Sequence, residues 1–342
     1  MKALVKAAAG VGHVELREVP EPKPQPGQLK IEVKAGAICG TDLHIHDDEY
    51  PNCPPVVLGH EMSGVVVEVG ERVQRFKVGD RITSETFKYT CGHCRMCQQG
   101  LIGLCADRRS MGVHVDGAFA KYVCQREESV HTLPANVDFE AGALSEPTAV
   151  AVRAVYERAT IGVGDTVLVS GPGCVGLLTV QAAKSLGATV ILSGVGGDEK
   201  RLALGRDLGA DAIVNSVTDS LDVIFDHTAG LGVDVAIECA GSESSLEQCA
   251  LYARKGAQIV LVGLFGRPVV VDFDATVINE QTLLPSFTYT HDTWERALAL
   301  MSCGSIKTAP LISDRSPLTD WESAFDAVRH RRGNKYLLLP SD

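Results

Sequence analysis

The sequence predicts an α/β protein in two parts, a small β-rich domain followed by a doubly wound parallel sheet. Two observations carry that expectation. Through the first third, apolar residues come in short runs of two-residue period, broken by glycine and proline. From Gly164 onward, short apolar strands alternate with stretches of helical spacing, as a parallel sheet wound with helices requires. At 342 residues the chain also exceeds what one core commonly supports, so size alone favours two domains.

The elements follow in order. Leu29, Ile31, Val33 and Ala35 alternate with Lys30, Glu32 and Lys34, which reads as a half-buried strand. Residues 20–26 are proline-rich and can only connect. Residues 65–70 and 78–82 continue the short strands with glycine turns. Val167, Leu168 and Val169 then form a strand and residues 175–186 a helix. Val190, Ile191 and Leu192 are the next strand, and residues 199–208 the next helix. Further strands are expected at 212–214, 235–237 and 259–262. After about Pro285 the pattern loosens, and Tyr336, Leu337, Leu338 and Leu339 close it as an apolar strand.

Composition narrows the function. Hydrophobic residues at 45% and charged residues at 22% are ordinary globular proportions, and the net charge of -11 argues against nucleic acid or an anionic membrane as partner. No segment is long and apolar enough to span a membrane, and residues 1–6 lack a signal-peptide core. A cytoplasmic location is therefore expected, where the eleven cysteines serve as thiols or metal ligands.

The most specific local signal is Cys91-x2-Cys94-x2-Cys97-x7-Cys105. Four thiolates so close in sequence can complete a tetrahedral shell, with Gly92, Gly100 and Gly103 letting the loop wrap the ion. No outside ligand is needed, so a zinc here is structural, contributing roughly 10–16 kcal/mol to holding the loop. An iron-sulfur cluster or a redox pair is the rival reading. His93, inside the loop, reads as a solvated neighbour.

Gly171-Pro172-Gly173-Cys174-Val175-Gly176 fits G-x-G-x-x-G between an expected strand and an expected helix. Gly171 suits the tight turn, Gly173 lets backbone approach a pyrophosphate, and Gly176 lets helix and sheet pack closely. Cys174 and Val175 complete the cradle as small space-filling residues. A dinucleotide is thus expected. Its identity as NAD or NADP turns on the end of the second strand, Ser193-Gly194, where no acid stands. Ser193, or the basic Lys200 and Arg201, could meet a 2′-phosphate, a slight lean towards NADP. Alternatively, Asp198 folds back and selects NAD.

The remaining signal is dispersed. Cys39 opens Cys39-Gly40-Thr41-Asp42-Leu43-His44, Gly59-His60-Glu61 follows twenty-one residues on, and Glu146-Pro147 comes much later. Thiolate, imidazole and carboxylate are zinc ligands, and three or four gathered from distant points leave a position open for substrate.

These motifs together resemble the zinc-dependent medium-chain alcohol dehydrogenases, over essentially the whole chain. Within that family they are most similar to the branch of sorbitol (polyol) and L-threonine 3-dehydrogenases. Gly232-Val233-Asp234-Val235, Gly263-Leu264-Phe265 and Ser145-Glu146-Pro147 fit as well. The resemblance implies a GroES-like catalytic domain over 1–147, a Rossmann domain over 148–285, and a return to the catalytic domain over 286–342. It assigns Cys39 and His60 to a catalytic zinc, Glu146 as third protein ligand, and Glu61 as a ligand direct or through water. Two zinc ions per chain follow. Asp42 would fix the ring of His60. Thr41 and His44 stand at the family's proton-relay positions, a hydroxyl followed by an imidazole.

His46 reads as a surface residue, and His114 and His227 as structural. Cys53, Cys124, Cys239, Cys249 and Cys303 read as buried small hydrophobes. Phe287-Thr288-Tyr289 lacks the arginine that sorbitol dehydrogenases tend to carry there. A secondary alcohol of a small polar substrate is expected, polyol or sugar ahead of L-threonine. A non-catalytic cofactor-binding zinc protein is the reading of another class. Homo-oligomerisation, as a tetramer or dimer, is implied by the resemblance alone.

Overall fold

The computed structural model describes residues 1–219 and 222–340. The chain forms two compact units. One comprises Met1–Glu146, Thr290–Ser302 and Thr308–Asp342, and the other Pro147–Tyr289 with Cys303–Lys307.

The first unit is built on a seven-stranded sheet among the described residues. Its central strand, Gln28–Ala37, pairs antiparallel with Glu61–Val69 on one side and with Lys335–Leu339 on the other. Leu29, Ile31, Val33 and Ala35 are buried as their alternation predicts, over a core completed by Met62, Val66, Ile82 and Val130. Lys30 breaks the pattern: it is buried too, its ammonium paired with Glu21 and lying 4.6 Å from the centre of the Tyr122 ring. The strand expected from residue 78 begins later, at Arg81–Ser84. Residues 78–80 form the preceding turn instead, where Asp80 Oδ2 accepts the N–H of Lys77 at 2.9 Å.

The second unit holds a six-stranded parallel sheet in the order Ala212–Asn215, Thr189–Gly194, Thr166–Ser170, Val233–Glu238, Ala253–Leu261, Thr282–Pro285. Numbered along the sheet, this is the 3-2-1-4-5-6 order of a doubly wound Rossmann fold. All five residues of Thr166–Ser170 are buried, because helices cover both faces and leave no polar side to alternate with. No helix among the described residues is long and apolar enough to cross a membrane.

Candidate active site

In the first unit, the register Ala37↔Glu61 brings the ends of two neighbouring strands together. Cys39 follows one of them and caps the short helix Gly40–His46, while His60 immediately precedes the other. Cys39, His60 and Glu61 thereby offer ligand atoms that all lie within 4.8 Å of one another, although 21 residues separate the first two in sequence.

Asp42 is fully buried beneath them. Its Oδ2 accepts the Cys39 N–H at 2.8 Å, and its Oδ1 stands 3.7 Å from His60 Nδ1. Neither that oxygen nor that nitrogen has a hydrogen-bond partner among the described residues. Burial works against a charged His60, but the Asp42 carboxylate and the Cys39 thiol outweigh it and hold the imidazole well above its ordinary value. A carboxylate behind a histidine ring that faces a thiol is the setting of a ligating histidine, whose second nitrogen must be fixed. The donor set fits a zinc ion.

Glu61 is not free. Lys335 donates to both its oxygens, at 2.8 and 2.7 Å, and to the Ile38 carbonyl at 3.1 Å, all three groups being buried. The sequence gives one sign of Lys335, a lone charge opening an otherwise apolar strand. Glu146, in the first turn of the helix Ser145–Arg153, lies outside the tight set. Burial pushes its carboxyl up to about 7, with His60 and Lys335 opposing and Glu61 and Asp42 adding to the rise. Thr41 Oγ1 is 3.6 Å from Cys39 Sγ, and His44 Nδ1 meets Glu49 Oε2 at 2.7 Å. His46 is half-buried between Asp47 and Arg329 rather than free on the surface. His114 takes the structural part expected of it, Nδ1 accepting the Ser110 N–H.

The four-cysteine loop closes on itself. Cys91, Cys94, Cys97 and Cys105 group their sulfurs, with Cys91 Sγ 3.9 Å from Cys97 Sγ and 3.7 Å from Cys105 Sγ. A tetrahedron built on Zn–S bonds of about 2.3 Å has edges of about 3.8 Å, so the thiols already match the ion. The N–H groups of His93 and Cys94 draw the Cys91 thiol down to about 6, whereas burial pushes Cys97 up to about 12. Such crowding calls for a cation among the sulfurs. Gly92 and Gly100 take positive φ, as wrapping demands, but Gly103 does not and sits in the helical turn Ile102–Leu104. His93 is exposed, bound to the Cys91 carbonyl.

In the second unit, Gly171 turns the chain at φ +107° from the strand Thr166–Ser170 towards the helix Cys174–Ser185. A Cβ on Gly176 would lie 1.9 Å from the Gly171 carbonyl, so only glycine packs there. A Cβ on Gly173 would instead enter open space, the room a pyrophosphate needs at a helix N-terminus. Cys174 and Val175 are half-buried beside it.

Ser193 corrects the expectation of a phosphate contact. It is buried, and its hydroxyl donates to Gln248 at 2.7 Å. Asp198 does fold back to the strand end, taking the Val195 N–H at 3.0 Å and pairing with Arg201, close against Gly194. The small-hydrophobe reading holds for Cys124 and Cys249, but Cys53 and Cys303 are exposed. None of the eleven cysteines forms a disulfide.

Known proteins match along the whole chain. The family model of the alcohol dehydrogenase GroES-like domain covers residues 25–135, and that of zinc-binding dehydrogenases residues 174–303. A sorbitol dehydrogenase of Halalkalibacterium halodurans is 40% identical, with 100% of both chains covered. A D-arabitol-phosphate dehydrogenase of Enterococcus avium is 39% identical over 96% of this chain and 94% of its own. The solved structure described as a zinc-binding dehydrogenase from Sinorhizobium meliloti 1021, bound to NADP, superposes with a TM-score of 0.91 at 35% identity, covering 99% of each chain.

Proposed function

Because this chain belongs to the zinc-binding alcohol dehydrogenase family, we propose that it oxidises a secondary alcohol of a polyol or sugar-like substrate to the ketone. The observation that carries the reading is the convergence of Cys39, His60 and Glu61 over the orphaned pair of Asp42 and His60. Sorbitol and arabitol-phosphate dehydrogenases among the relatives favour a polyol.

Cys39, His60 and Glu146 are the protein ligands in this reading, because Lys335 already occupies both oxygens of Glu61 while Glu146 is a buried carboxyl short of positive charge. Glu61, its oxygens held by Lys335, would then stand beside the ion rather than ligate it directly. Zinc held there supplies a Lewis acid for the substrate hydroxyl, and the nicotinamide a hydride acceptor. Asp42 orients the ring of His60. The Thr41 hydroxyl, beside Cys39, takes the proton from the substrate, and His44, steadied by Glu49, passes it on to water. The Gly171 turn and the open face of Gly173 seat the pyrophosphate, and the thiols of Cys91, Cys94, Cys97 and Cys105 hold the second, structural zinc.

NADP is the favoured cofactor by a small margin: Arg201 stands near the strand end, where a 2′-phosphate could draw it away from Asp198, and the Sinorhizobium meliloti relative holds NADP. Asp198, folded back against Gly194, is the feature that speaks for NAD instead. The chain assembles with itself through the exposed Val270, Phe273, Val277 and Ile278, which run ahead of the sheet's edge strand. A panel of polyols, their phosphates and L-threonine, run with NAD⁺ and NADP⁺ in parallel, tests the reading. Turnover of polyols with a few-fold preference for NADP⁺ is expected; oxidation of L-threonine alone would refute the substrate class.

A further inference from the structure

Glu85, His131 and His291 offer ligand atoms within 4.8 Å of one another, apart from both sites described above. They come from three places in the first unit. Glu85 follows the strand Arg81–Ser84, and His131 lies in the strand Val130–Thr132, paired opposite Thr83. His291 opens the helix His291–Ser302, and Glu295, one turn further on, reaches the same cluster.

The hydrogen bonds pose a problem of charge. His131 is fully buried and has an acceptor at each nitrogen, Glu295 Oε1 at Nδ1 and Glu85 Oε1 at Nε2, the latter 2.9 Å away. A neutral imidazole has only one N–H. Given to Glu295, it leaves a lone pair on Nε2 facing a carboxylate oxygen. His291 Nδ1 meets that same oxygen at 3.0 Å, with the two rings 4.6 Å apart. The cluster therefore holds the buried carboxylate of Glu85 and the half-exposed one of Glu295, which also feels Arg75, against two imidazoles, and the buried carboxylate needs compensation. One proton on His131 would supply it as a hydrogen bond. A divalent cation supplies it too, and converts the opposed lone pairs of His131 Nε2 and Glu85 into ligands.

The geometry admits the ion as well. Separations of 2.9 and 3.0 Å, ordinary for hydrogen bonds, also equal the edge of about 3.0 Å between neighbouring ligands in an octahedron with bonds of about 2.1 Å, and all the donor atoms lie within 4.8 Å of one another. A ring whose far nitrogen is held by a carboxylate is how ligating histidines are fixed. Trp294 stacks on His131 at 5.5 Å and seals one side, whereas His291 is about half exposed and leaves a way in for ion and water. Two imidazoles with one carboxylate suit zinc, cobalt, nickel or iron(II) rather than magnesium or calcium.

We propose that Glu85, His131 and His291 bind a divalent transition-metal ion, with Glu295 positioning the ring of His131, and that this ion clamps the helix His291–Ser302 to the neighbouring strands. The site is separate from the two zinc sites of the proposed function, the catalytic and the structural.

The test is to saturate the full-length holoenzyme with Co²⁺, remove excess, and measure total divalent metal per chain beside the melting temperature. Wild type is expected to hold one ion more than His291→Ala and to gain a Co²⁺-dependent rise in melting temperature that the variant lacks. Glu295→Gln, which leaves all three ligands in place, should weaken uptake of that ion about 10–100-fold. The comparison rests on the difference between wild type and variant, so it stands whatever the cysteine-bearing sites contain. Equal metal in wild type and both variants would overturn the proposal and leave a buried imidazolium holding the cluster together.

Discussion

The cysteine loop and the Cys39 site solve the same problem in opposite ways. The loop gathers four like ligands within fifteen residues, and local wrapping alone brings its sulfurs to 3.7–3.9 Å. The Cys39 site, in the proposed reading, draws unlike ligands from two strand ends and, through Glu146, from a helix, with the buried counter-ion of Glu61 on a third strand. A closed shell needs only chain geometry. An open one needs the whole sheet in register, because the position kept free for substrate must be defended by groups that do not ligate.

The sharpest way to break the comparison is to remove one ligand from each site. Cys39→Ser should lower turnover at least about a thousandfold, the worth of several kcal/mol of Lewis-acid stabilisation, while cofactor binding and the loop's zinc survive. Cys97→Ser should instead release the loop's zinc and expose residues 91–105 to protease, with roughly 10–16 kcal/mol of ion binding no longer holding them. Metal content and limited proteolysis of the two variants decide it; an identical response from both would erase the distinction.

Next is the counter-ion. Lys335→Met leaves Glu61 buried and unpaired, which should cost about 3–5 kcal/mol in denaturant unfolding, with Glu61→Gln in the same chain recovering much of it. Failure of the second change to rescue would assign Lys335 a role outside the pair. Asp42→Asn should lower metal affinity or activity about 10–100-fold, measured by competition with a chelator. The smallest effect is at the rim. Arg329 and His46 hold the Asp47 carboxyl down to about 2, below its usual value of about 3.9. Its contribution is therefore complete above pH about 4 and fades as pH falls towards about 2. Asp47→Asn should flatten the acid limb of the stability profile there, and an unchanged limb would remove the pair from the account.

What the sequence disclosed follows the same division. The parallel sheet was readable because each of its inner strands contains an uninterrupted apolar stretch, residues 167–169, 190–192, 235–237 and 259–261, and the glycine loop because its spacing is local. Asp198 and Ser193 were not decidable. Both stand near the strand end, and only the fold shows that one turns back to Val195 while the other donates to Gln248. The Glu85, His131 and His291 cluster was invisible for a stronger reason, and Lys335 showed only as a lone charge opening an apolar strand, since their partners lie 46 to 274 residues away. Cys53 and Cys303 misled because a cysteine's burial is set by what packs over it, not by its own chemistry.

The bond from Lys335 to Glu61 also has a timing consequence. A ribosome must add 274 further residues after Glu61 before the ammonium that neutralises it exists. Until then the nascent chain carries a carboxylate it cannot comfortably enclose, so the unfinished sheet stays loose around Cys39 and His60. Final closure of the site is thereby tied to synthesis of the strand Lys335–Leu339, and a chain cut short before it would leave Glu61 without its counter-ion.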